Sequence, residues 1–141
     1  MGTRREAREL ALQTLYQLDL TGEEDAGVGV HFGGDADAIA FARELVDGVR
    51  RERTRIDALI GGASEHWRLP RLSRVDLSLL RLSTFELLAC PDIPASVTID
   101  EAVEIARRFG SEDSAAFVNG VLDAIATSVG AKDNEKAGPP E

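Results

Sequence analysis

The sequence predicts an all-α protein, and three observations carry that expectation. Ala, Leu, Arg and Glu are abundant while aromatic residues make up 5% of the chain, a balance that favours helices over sheets. Apolar residues recur at helical spacing in one segment after another. No stretch alternates apolar and polar residues in the manner of a strand, and no repeat period is present.

The first helix is expected over about residues 4–18, where Ala7, Leu10, Ala11, Thr14 and Leu18 form one stripe without an interrupting Gly or Pro. Residues 21–34 change to Gly, Asp and Glu and read as a loop. Helical spacing resumes with Ile39, Ala42, Leu45, Val46 and Val49 behind a cap at Asp35 or Asp37, and a shorter helix carries Ile56, Leu59 and Ile60 as far as Gly61 and Gly62. A linker with Trp67 and Pro70 follows. Ser73 to Asp76 reads as a capping box that opens a helix over 75–88, so apolar on several sides that it is expected at the centre of the fold. That helix stops before Pro91, Pro94 keeps the following segment extended, and Thr98 to Glu101 reads as a second capping box, opening a helix that stops at Gly110. A last helix is expected over 114–126, with Phe117, Val118, Val121, Leu122 and Ile125 at helical spacing. Asn119-Gly120 lies inside it, where Gly costs about 1 kcal/mol relative to Ala; close helix packing or a ligand role would account for it. Residues 131–141 have nothing to bury and are expected to form a disordered tail.

A chain of 141 residues suits one domain with its own core. The single cysteine, Cys90, excludes an intramolecular disulfide and a cysteine-based zinc cluster, which makes the cytosol the expected compartment. A charged N-terminus and the lack of an apolar run of roughly 20 residues argue against a signal peptide or a membrane span. With a net charge of -9, any nucleic-acid site must be local rather than spread over the surface. The basic residues are indeed clustered: eight of the 16 fall between Arg50 and Arg81, and Arg4, Arg5 and Arg8 open the chain.

Catalytic signatures are scarce. His31 and His66 lie in no metal-ligand spacing, Cys90 has no histidine near it in sequence, and phosphate-binding loops and nucleophile elbows are missing. No catalytic residue, metal or cofactor is expected. The first helix is more informative. At about 100° per residue, with Arg5 as origin, Arg8 falls near 300°, Leu12 near 340° and Tyr16 near 20°, while the apolar stripe centres near 200°. This wheel places arginines and the only tyrosine on the face away from the core, an arrangement suited to unpaired RNA: guanidinium groups for phosphates and a ring for a base. A solvated helix end with local charge pairs would have the same pattern. At the entry to the last helix, Asp113, Ser114 and Phe117 could line a second surface site.

The blocks RREARELALQTLYQLD, LSRVDLSLLRLSTFELL and IPASVTIDEAVEIARRFGSEDSAAFVNGVLD together resemble the NusB family of transcription antitermination factors, in the right order and over nearly the whole chain. The resemblance implies a NusB-like fold of two small packed helical bundles, about six to seven helices, within residues 1–130 and divided at about 63 and 72. It also implies binding of boxA RNA together with the ribosomal protein NusE, action in ribosomal RNA transcription, and association with RNA polymerase and other Nus factors. Matched residue by residue, the family's RNA site implies Arg4, Arg5, Arg8, Tyr16, Asp113 and Phe117, and its contact with the ribosomal protein implies Asp76. Ala116 stands where many members have Lys, which implies greater reliance on the protein partner. Trp67 would be the counterpart of an aromatic residue in the family's linker, or a plug between bundles. A NusB-like module serving a separate RNA cytosine methyltransferase, and a self-associating helical protein, are the alternatives.

Overall fold

The computed structural model describes residues 3–22, 35–64 and 72–131. Among these the chain forms six helices and no strand: α1 Thr3–Thr21, α2 Ala36–Arg51, α3 Arg53–Ala63, α4 Arg74–Ala89, α5 Ala95–Phe109 and α6 Ser114–Ser128. The all-α expectation is met. The division expected between residues 63 and 72 falls largely on 65–71, which with Trp67, the loop 23–34 and the tail from 132 onward lies outside the described residues.

Local chemistry sets most boundaries. Asp35, with extended backbone, accepts from the amides of Asp37 and Ala38 and starts α2, satisfying donors that the first turn leaves unpaired. Ser73 does the same for α4 by accepting from the amide of Asp76. Gly22, at φ 73°, closes α1 in the left-handed region with its amide bonded to the Leu18 carbonyl. The expected stop at Gly61-Gly62 is wrong: α3 runs through both glycines to Ala63, and Ser64 ends it with its amide on the Ile60 carbonyl. A second correction concerns Thr98 to Glu101. The helix already begins at Ala95 behind Pro94, and the two side chains of the supposed capping box are engaged with other helices.

The apolar stripes converge on α4, whose Leu77, Leu79, Leu80, Leu82 and Phe85 are buried and which packs against each of the other five helices. One apolar core includes residues from all six helices. At Gly48 of α2 the fit to α4 leaves no room for a side chain, because a Cβ there would overlap the ring of Phe85. Gly120 is the opposite case. Close packing does not explain it, since a Cβ at this exposed position would meet nothing within 4 Å.

These two glycines give a stability test. Gly48→Ala is expected to destabilise the protein by about 1–3 kcal/mol through overpacking. Gly120→Ala should stabilise it by roughly 0.5–1 kcal/mol by restricting the unfolded chain. Urea titrations followed by circular dichroism measure both, and similar effects at the two positions would contradict the packing described.

Candidate nucleic-acid interface

The helical wheel of α1 rests on a single buried stripe, and here the structure departs from it. α1 packs on α2 and also on α4, so Arg8 and Leu12 are buried along with Ala7, Leu10, Ala11 and Leu15. Arg8, expected to face solvent, is only 3% exposed. Its guanidinium forms a bidentate pair with Glu86 of α4, Nε donating at 3.0 Å and NH2 to the second oxygen. Thr98 of α5 donates to the same carboxylate at 3.0 Å. Two charges thus enter the interior together, with the planar fork of Arg matched to the two carboxylate oxygens, the form in which buried charge is tolerated. The signal in the sequence was Glu86, a carboxylate in the middle of the apolar α4, for which the wheel of α1 alone made no provision.

Arg5 stays at the surface but is not idle. It donates to both oxygens of Glu101 on α5, at 3.0 and 2.6 Å, and Arg8 approaches the same carboxylate at 3.7 Å. The hydrogen bond from Arg5 holds the Glu101 carboxyl below its ordinary pKa against the opposing effect of partial burial, with the charges of Arg5 and Arg8 adding to it. Arg4 reaches Asp92 at 3.4 Å and sits 5.2 Å from the centre of the Phe41 ring, where cation and ring attract. The three arginines border a concavity of about 690 Å³ with Ile93, Pro94 and Val97.

Tyr16 lies further along α1 and is half-buried. It borders a second concavity of about 430 Å³, together with Leu12, Leu20, Val75 of α4 and Phe109 of α5. Leu20 and Phe109 are exposed large apolar side chains, and Arg108 stands 5.2 Å over the Phe109 ring while pairing with Glu9. A third concavity, about 280 Å³, lies where α4 and α6 begin and is bordered by Leu72, Asp76, Ser111, Asp113, Ser114 and Phe117. The structure therefore brings Asp113 and Phe117 together with Asp76. Asp76 is buried, and its Oδ1 has no hydrogen-bond partner among the described residues. Ser114, in contrast, accepts from the amide of Ser111 at 2.9 Å, and Gly110 permits that tight turn, since a Cβ there would come within 2.6 Å of the Ser114 side chain.

Burial and the charge of nearby Glu86 push the Cys90 thiol up to about 11, so it holds almost no thiolate at neutral pH. Among the described residues no group of His, Cys, Asp and Glu could hold a metal ion, and no helix is long and apolar enough to cross a membrane. His31 and His66 lie outside the described residues.

Fold and site together define an all-helical protein with a basic and aromatic face along α1 that continues to the starts of α4 and α6. The NusB family model matches residues 5–127. Over 141 aligned residues the chain is 48% identical to the transcription antitermination protein NusB of Geobacter sp. strain M21, covering 92% of this chain and 97% of the relative. With the protein of the same name from Myxococcus xanthus it shares 50% over 137 residues, covering 92% and 98%. Among solved structures, T. maritima NusB superposes with a TM-score of 0.84 at 40% identity, covering 94% of this chain and 96% of that one. A chain from a complex of the antitermination factors NusB and NusE with double-stranded RNA gives 0.80 at 31%, covering 91% and 98%. The chain belongs to the NusB family.

Two predictions follow the charge network of α1. Arg8→Ala strands Glu86 inside the protein and is expected to destabilise the fold by about 3–5 kcal/mol, whereas Arg8→Met with Glu86→Leu should recover most of the loss; urea midpoints that fail to separate the single from the double variant would show that the pair is not buried as described. For Glu101 the sign follows from its lowered pKa. Its stabilising contribution is present above the ordinary carboxylate pKa of about 4.3 and disappears as pH falls through the folded value. Arg5→Ala should therefore be less stable than the parent at pH 7, and the difference should close below about pH 4, as read from urea midpoints across a pH series.

Proposed function

We propose that this chain is an RNA-binding transcription antitermination factor that acts with NusE on boxA RNA during ribosomal RNA transcription. The observation that carries the reading is family membership joined to geometry: three concavities follow one another along α1 and onto the starts of α4 and α6, and they contain every site residue named from the family resemblance. A strand laid along this path would meet exposed guanidinium groups first, then the Tyr16 ring, then Phe117 beside Asp113. Phosphates suit the first, unstacked bases the aromatic rings, and the exocyclic amino group of a base suits the carboxylate.

The arginines divide into two roles. Arg4 and Arg5 offer guanidinium surface to phosphates. Arg8 serves the site by position, since its charge is neutralised by Glu86 and its approach to Glu101 helps to hold the carboxylate that orients Arg5. Asp76 is assigned to NusE. Its unpaired Oδ1, in the concavity shared with Asp113 and Phe117, favours a donor brought by a partner and a junction of protein and RNA at that point.

No chemistry is assigned to the chain, and the cytoplasmic transcription machinery, with RNA polymerase and other Nus factors, is its proposed setting. The antitermination relatives are covered over 97% and 98% of their length, which favours this reading over service to a separate methyltransferase subunit.

Tyr16→Ala combined with Phe117→Ala is expected to weaken binding of a boxA RNA oligonucleotide at least about tenfold, since each stacked base is worth about 1–3 kcal/mol. Helical content should be unchanged by circular dichroism. A filter-binding titration at fixed salt measures the effect, and parent-like affinity in the double variant would remove the proposed surface.

A further inference from the structure

A fourth cavity lies away from this path. Where α1 ends, α2 ends, α3 begins and α4 passes, a space of about 540 Å³ is bordered by Arg50, Arg53 and Arg81, with Asp19 and the apolar Leu15 and Val49. Among the described residues it shares no bordering residue with the three concavities of the proposed RNA face.

Arg81 is the unusual member, because its side chain is 8% exposed. Asp57 accepts from its Nε at 2.8 Å and from NH2 at 3.0 Å. That leaves NH1 with only a 3.8 Å approach to Asp19, beyond hydrogen-bond distance. Asp19 is itself held by Arg74 at 3.0 Å, and Asp57 is shared with Arg53 at 3.4 Å. Arg50 is exposed and has no carboxylate within ion-pair distance among the described residues. Among the described residues three guanidinium groups, those of Arg50, Arg53 and Arg81, and one carboxylate, Asp19, border the cavity, while Arg74 and Asp57 pair with these groups from behind. Among the described residues the surplus is two positive charges, in a protein whose net charge is -9.

Helix ends account for part of this. Arg50 lies in the last turn of α2, where the macrodipole favours a cation. It does not account for a nine-tenths-buried arginine that borders an open cavity with one nitrogen lacking a hydrogen bond among the described residues. Several guanidinium forks in one concave site match an oxyanion with three terminal oxygens, and a surplus of two charges matches a dianion. A single carboxylate would satisfy neither count. Leu15 and Val49 add an apolar wall against which a sugar or base can lie.

We propose that this cavity binds a phosphomonoester dianion, carried by a free nucleotide or by the terminal phosphate of an RNA strand. Arg81 NH1, Arg50 and Arg53 donate to its oxygens. Asp57 holds Arg81 in place and does not touch the ligand.

Calorimetric titration of the full chain at pH 7.5, with ionic strength held constant by sodium chloride, tests this using inorganic phosphate, GMP, and a short RNA oligonucleotide with either a 5′-phosphate or a 5′-hydroxyl end. Saturable binding of phosphate and GMP is expected, weakened about tenfold by Arg50→Ala and by Arg53→Ala, with Arg50→Lys intermediate because it keeps the charge and loses the fork. Neither variant breaks a buried contact, so both should fold, and Tyr16→Ala should leave phosphate binding unchanged. A preference for the 5′-phosphorylated over the 5′-hydroxyl oligonucleotide assigns the site to strand ends; equal affinity for the two, with GMP bound, assigns it to a free nucleotide. Either result supports the proposal. It is overturned if phosphate shows no saturable binding at constant ionic strength, or if Arg50→Ala and Arg53→Ala bind as the parent does.

Discussion

The pair formed by Arg8 and Glu86 is the constraint around which the rest of the molecule is arranged. It joins α1 to α4 in the interior, and through Thr98 it ties in α5. A guanidinium cannot be left in a low-dielectric interior without a partner, nor can a carboxylate, so the three helices are held to one relative placement. Apolar packing sets how closely helices approach but tolerates many small adjustments; a bidentate charge pair does not. Its effect is to fix which side of α1 remains for solvent.

From that placement the surface follows. With Arg8 turned inward, Arg5 is left beside Glu101, Arg4 beside Phe41 and Asp92, and Tyr16 at the edge where α1 meets Val75 and Phe109. The acidic partners temper the basic groups. A surface whose arginines are already paired attracts phosphate less strongly than bare guanidinium groups would, because each carboxylate must be displaced or shared.

The same logic of paired charge separates the two basic regions of the molecule. Along α1 each cation has a carboxylate of its own, and the face is shallow. At the junction of α2 and α3, carboxylates are shared between arginines and the space is more enclosed. Identical residue types therefore present different chemistry, and the difference lies in stoichiometry and enclosure rather than in local sequence.

Most of the fold was legible in the chain. Apolar periodicity located the six helices of the described residues, Ser73 marked the start of α4, the cap of α2 was narrowed to Asp35 or Asp37, of which the structure uses Asp35, and the apolar breadth of α4 announced its central position. Of the site candidates named from the sequence, Tyr16 and Phe117 are half-buried on their helices and Asp113 is exposed just before α6. Local patterns failed where a residue is used by another helix: Thr98 and Glu101 have the spacing of a capping box yet serve Glu86 and Arg5, and α3 runs through two glycines that sequence rules would make a stop. What the chain alone determined was which segments are helical and which of their faces are apolar, since both depend on neighbours one turn away. Tertiary structure alone decided that Arg8 is buried, that Asp76 shares a concavity with Phe117, and that Arg50, Arg53 and Arg81 surround one cavity. Those facts depend on residues tens of positions apart meeting in space, and helical periodicity along a single segment does not encode its partner's charge.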